Sequence, residues 1–450
     1  MTDVVRTLRE RLPRDEVVTD PDILTTYARD QASLCDFAEP LALVRARSVE
    51  SVVETLRAAT ATTTPVVTRG AGTGLSGGAN ATAGAIVLSL EKMNRIIEID
   101  PQTLRARVEA GVLNAALDEA AREVGLMYAP DPASREISTI GGNVATNAGG
   151  ACCLKYGVTG DHIAAMTTVL ASGEVIHTGS NTVKNVAGLD LHRLLIGSEG
   201  TLGVIVEVVA KLMPRRVNAG TLIAFFPKLE GAGHAIVDLA RPQNLSKLEV
   251  MDQTTIRAVD ALMGLELDTD AAAMLIAQVD TVDAESILAA CESSCETHGA
   301  SLVYATDDEQ EGRSFMRARS AALPALEKLG RWLLDDVAVP IPRIPDLLAY
   351  CERTAANAGI RIGTFGHAGD GNLHPTLVYN EDQESAAERA FDQIIAGALE
   401  LGGTVTGEHG VGLLKRRHLA SMLGARELEL MRGIKHVFDP KGLLNPGKGF

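Results

Sequence analysis

The stretch PVVTRGAGTGLSGGANATAGAIVLSL (65–90) joins two apolar runs through a loop that consists almost entirely of glycine and other small residues. Within it, GTGLSG (72–77) has the spacing G-x-G-x-x-G of a dinucleotide-binding fingerprint. That fingerprint requires a helix to open at the loop, and the residues that follow contain no helix-forming run. Backbone N–H groups without side chains can still approach an anion closely. The stretch therefore predicts a strand, a loop and a second strand, and the loop is compatible with a phosphate cradle or a plain flexible connection.

Two further segments have the same small-residue character. They are PDPASREISTIGGNVATNAGG (130–150) and LIGSEGTLGVI (195–205), and the first of them shows little periodicity. Long irregular stretches inside a compact domain are uncommon and are usually functional. Three such segments between residues 69 and 205 predict an extended, phosphate-bearing cofactor.

The surrounding patterns predict the domain organisation. Residues 41–70 read as strand, helix and strand, and residues 167–178 read as a hairpin about Ser172-Gly173. After about residue 215 the chain alternates strands with longer helices. We therefore predict two domains, 1–215 and 216–450, of the α+β class.

Composition excludes several classes of function. Lys and Arg number 42 against 58 Asp and Glu, so the net charge of −16 argues against nucleic-acid binding. The sequence contains no run of 18 apolar residues, so no transmembrane helix is expected. The charged N-terminus lacks the apolar core of a secretory signal. Six cysteines are too few for a disulfide framework in this length. A cytoplasmic location is expected, with peripheral association at a membrane left open.

A second group of motifs contains histidine. FGHAGDGNLHP (365–375) places His367 and His374 around a glycine-rich turn, with strand-like residues on both sides. Such a turn can bring the two imidazoles together. GEHGVG (407–412) offers Glu408 as a third ligand, and a His/His/Glu set with open positions suits zinc, manganese or iron(II). Incidental packing of histidines in a glycine-rich turn is the alternative.

The segments RGAGTGLSGGA (69–79), PDPASREISTIGGNVATNAGG (130–150) and KNVAGLDLHRLLIGSEGTLGVI (184–205) resemble the FAD domain of the vanillyl-alcohol-oxidase type flavoproteins. The resemblance runs from about residue 38 to the C-terminus and is to the D-2-hydroxy-acid dehydrogenase branch. It implies a two-subdomain FAD-binding domain, an α+β substrate domain and a C-terminal helical segment that returns to the flavin. Because these loops hold no clearly placed His or Cys for covalent attachment, non-covalent FAD is expected.

The resemblance also implies which residues hold the cofactor. Gly70 to Gly78 would wrap the pyrophosphate, and the second and third segments and the C-terminal tail would line the flavin and ribityl chain. The implied FAD-binding residues are Gly70, Gly72, Thr73, Gly74, Leu75, Ser76, Gly77, Pro130, Asp131, Ser138, Thr139, Gly142, Asn143, Thr146, Gly149, Glu199, Gly203, Ile205 and Asn445.

Chemical roles follow from the same resemblance. His367, His374 and Glu408 would hold the metal, and His409 would be the base that accepts the substrate hydroxyl proton. Arg319 would bind the substrate carboxylate, with a solvated helix charge as the alternative. At the position of Leu334, D-2-hydroxyglutarate dehydrogenases resemble one another in having a lysine. This departure favours an uncharged substrate side chain, as in lactate.

The predicted function is oxidation of a small D-2-hydroxy acid, lactate-like or glycolate-like, to the 2-oxo acid. No nicotinamide site is evident, so the expected electron acceptor is a quinone, an electron-transfer flavoprotein or a cytochrome. A homodimer is left open. The alternatives are an oxidase of another substrate class, the flavin subunit of a glycolate oxidase complex, a D-2-hydroxyglutarate dehydrogenase, and a metal-dependent hydrolase without flavin.

Overall fold

The computed structural model describes residues 3–216, 220–241 and 245–450. The strands are β1 (Val17–Val18), β2 (Ala42–Arg45), β3 (Val66–Arg69), β4 (Ile86–Ser89), β5 (Ile96–Asp100), β6 (Arg105–Glu109), β7 (Leu126–Met127), β8 (Ile163–Val169), β9 (Val175–Gly179), β10 (Val204–Lys211), β11 (Met213–Pro214), β12 (Gly220–Phe226), β13 (Leu245–Asp252), β14 (Ala273–Val279), β15 (Leu302–Thr306), β16 (Arg331–Leu334), β17 (Val337–Ala338), β18 (Arg361–His367) and β19 (Asn372–Tyr379). The α-helices are α1 (Asp3–Arg11), α2 (Pro21–Thr26), α3 (Val49–Thr62), α4 (Asn114–Arg122), α5 (Ile140–Thr146), α6 (Cys153–Tyr156), α7 (Leu191–Leu195), α8 (Leu229–Ala240), α9 (Gln253–Met263), α10 (Ala284–Thr297), α11 (Glu309–Ser320), α12 (Ala322–Glu327), α13 (Ile344–Ala358), α14 (Glu384–Glu400), α15 (Arg416–Met422) and α16 (Ala425–Phe438).

The chain forms two compact units. The first unit takes residues up to Gly149, then Gly157–Arg215 and Glu408–Phe450, and the second takes Gly150–Tyr156 and Arg216–Gly407. The division into domains 1–215 and 216–450 stays a prediction, and residues 408–450 are grouped with the first unit. The C-terminal helices α15 and α16 belong to the first unit, as the family resemblance implied.

In the first unit, a four-stranded sheet of order β1-β2-β4-β3 positions the glycine loop. Strands β2 and β3 both pair in parallel with β4. Ser48 caps helix α3 with its hydroxyl, which accepts the N–H of Ser51 at 3.2 Å, and the helix buries Val52 and Leu56 in the apolar core. The loop between β3 and β4 contains no helix, which confirms that the fingerprint is not a Rossmann site.

The second sheet of this unit is antiparallel, of order β5-β6-β10-β8-β9. Its strands β8 and β9 form the predicted hairpin, with Gly173 at φ +83° in the turn. The C-terminal tail returns to β3 of the four-stranded sheet, where Val66 N–H donates to Leu443 O at 2.8 Å and Asn445 N–H donates to Val66 O at 2.9 Å. The tail is thereby fixed beside the strand that leads into the glycine loop.

The second unit is built on one antiparallel sheet of order β15-β12-β14-β13-β18-β19-β16, with β17 also paired to β19. Strands β18 and β19 flank the predicted turn, in which Gly371 has φ +79° and a Cβ would lie 2.1 Å from Val339 O. The register pairs Phe365 with His374 and His367 with Asn372. The turn therefore places the two histidines on adjacent strands.

One element was not expected. Helix α5 (Ile140–Thr146) lies inside a segment that the sequence suggested was irregular. Its glycines and asparagines are poor helix formers, so no apolar period marked it. It is stabilised by tertiary packing instead, because Ile140 and Val144 are buried and a Cβ on Gly141 would lie 2.6 Å from the Ala110 Cβ.

Candidate active site

The glycine loop of the first unit is tightly packed against its own neighbours. A Cβ on Gly70 would lie 2.4 Å from Thr139 Oγ1, and a Cβ on Gly72, where φ is +74°, would lie 2.0 Å from the Arg69 guanidinium. Side chains at these positions are therefore excluded. The packing brings the loop against the start of α5, so two of the predicted FAD segments meet.

The start of α5 offers donors that fit a cofactor. Thr139 caps the helix by accepting the N–H of Gly142 at 3.2 Å. Ser138 Oγ and Asn143 Nδ2 are buried and lack a hydrogen-bond partner among the described residues. Buried polar groups are normally satisfied, so such atoms fit a site where a bound group supplies the missing partner.

A cavity of about 440 Å³ lies beside the same residues. Ala71 from the glycine loop and Thr139 from the α5 cap line it, together with Gly111 and Leu113. Its volume is within the usual range of ligand sites. The unpartnered polar atoms of Ser138 and Asn143 and the cavity beside them therefore fit a bound cofactor.

Glu199, predicted to line FAD, makes a different set of contacts. It is half-buried at φ +51°, and its two carboxylate oxygens accept the N–H groups of Val411 and Gly412, each at 2.7 Å. Burial raises the pKa of Glu199, and the two backbone N–H groups oppose that rise. The Glu199 carboxylate thus fixes the loop that carries Glu408 and His409.

Ser76 binds the same loop from the other side. Its hydroxyl donates to His409 O at 3.0 Å, and its carbonyl accepts from Leu413 N at 2.8 Å. The carboxylate of Glu408 and the ring of His409 are partly shielded, with Glu408 Oε1 3.7 Å from His409 Nε2. The predicted third ligand and the predicted base therefore lie in a loop that the glycine loop supports.

The C-terminal tail is held in the same unit. Asn445 Oδ1 accepts from Thr68 N at 2.9 Å, and its Nδ2 donates to Glu199 O at 2.5 Å. Lys448, which the sequence did not single out, is buried and donates to Asn80 O at 2.5 Å. Burial lowers the pKa of Lys448 to about 8, against the opposing charges of Asp30 and Glu199.

Four other predicted FAD residues contact neighbouring residues of the same unit. Ile205 is part of the apolar core, and Gly203 packs against Thr168. The carbonyl of Pro130 accepts from Asn114 Nδ2 at 3.2 Å, and the Thr146 hydroxyl donates to Gly142 O at 3.2 Å. Their place against FAD stays a prediction.

In the second unit, His367 and His374 lie side by side. Their ring centroids are 5.3 Å apart with the planes nearly perpendicular, and both side chains are buried. Asp336 Oδ1 is 3.7 Å from His374 Nδ1. Two adjacent imidazoles are donors that fit a divalent transition metal.

Arg319 is buried and contacts Glu249, which also contacts His367, whereas Arg317 is exposed. Arg319 Nε pairs with Glu249 Oε2 at 2.7 Å, and its guanidinium lies 4.7 Å from the centroid of Phe365. Glu249 Oε1 accepts from His367 Nδ1 at 2.8 Å. Burial alone would raise the pKa of Glu249, but the charges of His367 and Arg319 hold it at about 2.

Sequence reasoning missed Glu249 and Asp336. Asp336 Oδ2 accepts from the Thr406 hydroxyl at 2.7 Å and from Gly407 N at 2.9 Å, and so fixes the residue that precedes Glu408 in the chain. The acidic pair after the apolar run RWLL was a local signal for Asp336. Glu249 had no such signal, because its partners are distant in sequence.

Comparison with known proteins decides the family. Residues 216–449 match the profile described as FAD linked oxidases, C-terminal domain, and residues 40–179 match the profile described as FAD binding domain. The chain belongs to the FAD-linked oxidases. It is an FAD-dependent oxidoreductase, and the predicted recognition and fold class are confirmed.

Relatives of this FAD-linked oxidase carry three different names. It is 39% identical to glycolate oxidase subunit GlcD of Bacillus subtilis (strain 168), over 91% of this chain and 89% of the relative. It is 35% identical to D-lactate dehydrogenase of Anaerostipes hadrus, over 99% and 97%. It is also 35% identical to D-2-hydroxyglutarate dehydrogenase of Xanthomonas citri pv. viticola, over 100% and 98%.

Solved structures share the fold at low identity. The structure of p-cresol methylhydroxylase with bound substrate gives a TM-score of 0.81 at 19% identity, covering 99% of this chain and 96% of that one. The 4-ethylphenol oxidase from Gulosibacter chungangensis gives 0.80 at 18%, with the same coverage. Within the residues that the structure describes, no helix is both long and apolar enough to cross a membrane.

Proposed function

We propose that this FAD-linked oxidase oxidises a small D-2-hydroxy acid, lactate-like or glycolate-like, to the corresponding 2-oxo acid. The observation that carries the proposal is the buried group in the second unit, where the His367 imidazole and the Arg319 guanidinium contact one carboxylate, that of Glu249, and His374 lies beside His367. A guanidinium recognises a carboxylate, and the imidazole pair recognises a metal that can bind the oxygens of a 2-hydroxy acid. The FAD-binding domain supplies the hydride acceptor when FAD is bound.

The proposed roles of the residues follow from their chemistry. His367 and His374 would hold a divalent zinc, manganese or iron ion, with Glu408 as third ligand, and such an ion lowers the pKa of a hydroxyl that it binds. Arg319 orients the substrate through its carboxylate. His409 accepts the hydroxyl proton, since its ordinary pKa lies near neutrality.

Leu334 supports a monocarboxylate substrate. It is buried in β16 and pairs in register with Thr376, two residues beyond His374 on β19. A leucine in this place cannot form an ion pair with a second carboxylate. The relatives do not indicate which substrate is used, because D-lactate dehydrogenase and D-2-hydroxyglutarate dehydrogenase are both 35% identical to this chain.

The flavin-free hydrolase alternative is set aside, because the chain belongs to an FAD-dependent family. We propose a quinone, an electron-transfer flavoprotein or a cytochrome as the electron acceptor. The relatives from Bacillus subtilis and Escherichia coli are named as a subunit of glycolate oxidase. The second candidate function is therefore that of a flavin subunit in a glycolate oxidase complex.

The substrate proposal is tested by steady-state kinetics with a dye acceptor. D-lactate, L-lactate, glycolate and D-2-hydroxyglutarate are compared by kcat/KM. The proposal predicts the highest values for D-lactate or glycolate. A higher kcat/KM for D-2-hydroxyglutarate or for L-lactate would contradict it.

A further inference from the structure

Glu249 contacts two residues to which the proposed function gives separate tasks. One oxygen of its carboxylate accepts from His367 Nδ1 at 2.8 Å, and the other pairs with Arg319 Nε at 2.7 Å. The side chain is 1% exposed. A single carboxylate therefore joins a proposed metal ligand to the proposed substrate-binding arginine.

Packing does not explain an acid in this position. Val250 and Met251, which follow Glu249 on β13, are apolar and equally buried. Burying a carboxylate is unfavourable unless charged or hydrogen-bonding partners compensate for the lost water. Here both oxygens have such partners, so the carboxylate acts through those two contacts.

The contact with His367 determines which ring nitrogen can bind a metal. An ionised carboxylate only accepts hydrogen bonds, so His367 Nδ1 carries the proton. The lone pair is then on Nε2, which is the arrangement that a carboxylate–histidine pair gives to a metal ligand.

The contact with Arg319 determines the direction of the guanidinium. Its Nε edge is used by Glu249, and its face lies against Phe365. Neither Nη group of Arg319 donates a hydrogen bond to another residue within the part of the chain that the structure describes. These groups are the edge that binds a carboxylate in a bidentate manner.

We propose that Glu249 is a positioning residue that orients His367 for the metal and Arg319 for the substrate carboxylate, and so couples the two binding events. The proposal rests on the proposed function. It names a residue that touches neither substrate nor cofactor and acts through the two side chains that do.

Glu249→Gln tests this directly. The amide keeps the shape, but only one of its two ends accepts a hydrogen bond, so one of the two contacts must be lost. FAD-loaded, metal-depleted wild-type and variant enzymes are titrated with Mn²⁺ and with Zn²⁺. We expect metal affinity to fall by about 10–100-fold and KM for the hydroxy acid to rise more than kcat falls, with an unchanged flavin spectrum.

Asp252→Asn is the matched control. Asp252 is on the same strand and is also buried, but its carboxylate accepts the N–H groups of Thr255 and Thr364 at 2.8 and 2.7 Å. We expect this variant to keep the wild-type metal affinity and KM. An equal loss of metal affinity in both variants would mean a general effect of altering the strand and would overturn the proposal.

The possible outcomes distinguish the role of Glu249 from the existence of the metal site. Wild-type metal affinity and KM in folded Glu249→Gln enzyme overturn the role of Glu249 and leave the metal site standing. A wild-type enzyme that binds neither ion overturns the metal site and the role of Glu249 together. If Glu249→Gln does not fold, Arg319→Gln is titrated instead. If Glu249 couples metal binding to Arg319, the metal affinity of the Arg319→Gln enzyme should change severalfold. An unchanged affinity overturns the coupling.

Discussion

The hydroxyl of Ser76 donates a hydrogen bond to the backbone carbonyl of His409 at 3.0 Å. Ser76 lies in the glycine loop, and His409 is the proposed base, 333 residues further along the chain. Glu199 holds the next two N–H groups of the same loop, at Val411 and Gly412. Within the first unit, the loop proposed to bind the FAD phosphates and the loop of the proposed base form one hydrogen-bonded network.

Gly412→Ala is expected to disturb this network. Gly412 has φ +51°, and a Cβ there would lie 2.1 Å from the Ser76 carbonyl oxygen. The methyl group must displace either the glycine loop or the base loop, so both FAD retention and the rate of flavin reduction should fall. Flavin content after gel filtration and anaerobic reduction rates measure the two effects.

Gly442→Ala, in the C-terminal tail of the same unit, is the matched control. Gly442 has φ +64°, but a Cβ there meets nothing within 4 Å. Backbone strain alone should lower stability by about 1–2 kcal/mol and leave flavin content and reduction rate unchanged. Equal losses of flavin in both variants would show that the contact with Ser76 has no special role.

His409→Ala is expected to retain FAD while slowing flavin reduction by about 10²–10⁴-fold. The reason is that the substrate hydroxyl loses its proton acceptor before hydride transfer. The rate is measured under anaerobic single-turnover conditions at saturating substrate. A near-normal rate would remove His409 from the base role.

Stability should depend on the titration of Asp252. Burial raises the pKa of this carboxyl from 3.8 to about 6, although Thr255 and Thr364 N–H groups oppose the shift. Between these two values the folded state binds the proton more tightly than the unfolded state does. The free energy of unfolding therefore falls as pH rises through this window, by up to about 3 kcal/mol.

Asp252→Asn removes that titration. The variant should show a flatter pH dependence between 3.8 and about 6 than the wild type. Denaturant unfolding at a series of pH values in this window measures both slopes. Identical slopes would show that Asp252 titrates normally in the folded protein.

Leu334→Lys is expected to shift substrate preference. A lysine opposite Thr376, two residues from His374 on β19, could pair with a second substrate carboxylate. We expect kcat/KM for D-2-hydroxyglutarate to rise relative to that for D-lactate by about tenfold, the equivalent of about 1.4 kcal/mol. Leu334→Met is the control for altered packing. An unchanged ratio in the lysine variant would remove Leu334 from substrate selection.

Local patterns predicted much of the fold and the first contacts of the candidate site. Three features follow from short-range chemistry: the glycine loop without a following helix, the β8–β9 hairpin and the turn that brings the His367 and His374 rings side by side. Helix α5 did not, because packing of Ile140 and Gly141 rather than propensity stabilises it.

The partners of Glu199 and Glu249 were beyond sequence reasoning. Glu199 is 212 residues from Val411, and Glu249 is 118 residues from His367. Neither acid belongs to a motif that names its partner, since the contacts arise only when distant strands and loops pack together. The sequence singled out Glu199 as an FAD-binding residue, which stays a prediction, and its contact with the base loop was not foreseen.

The most direct test of the central claim is anaerobic mixing of the FAD-loaded enzyme with D-lactate while the visible flavin absorbance is followed. We expect rapid bleaching of the flavin and formation of one equivalent of pyruvate, with little bleaching by L-lactate. A flavin that stays oxidised with D-lactate, glycolate and the other D-2-hydroxy acids would contradict the proposed function.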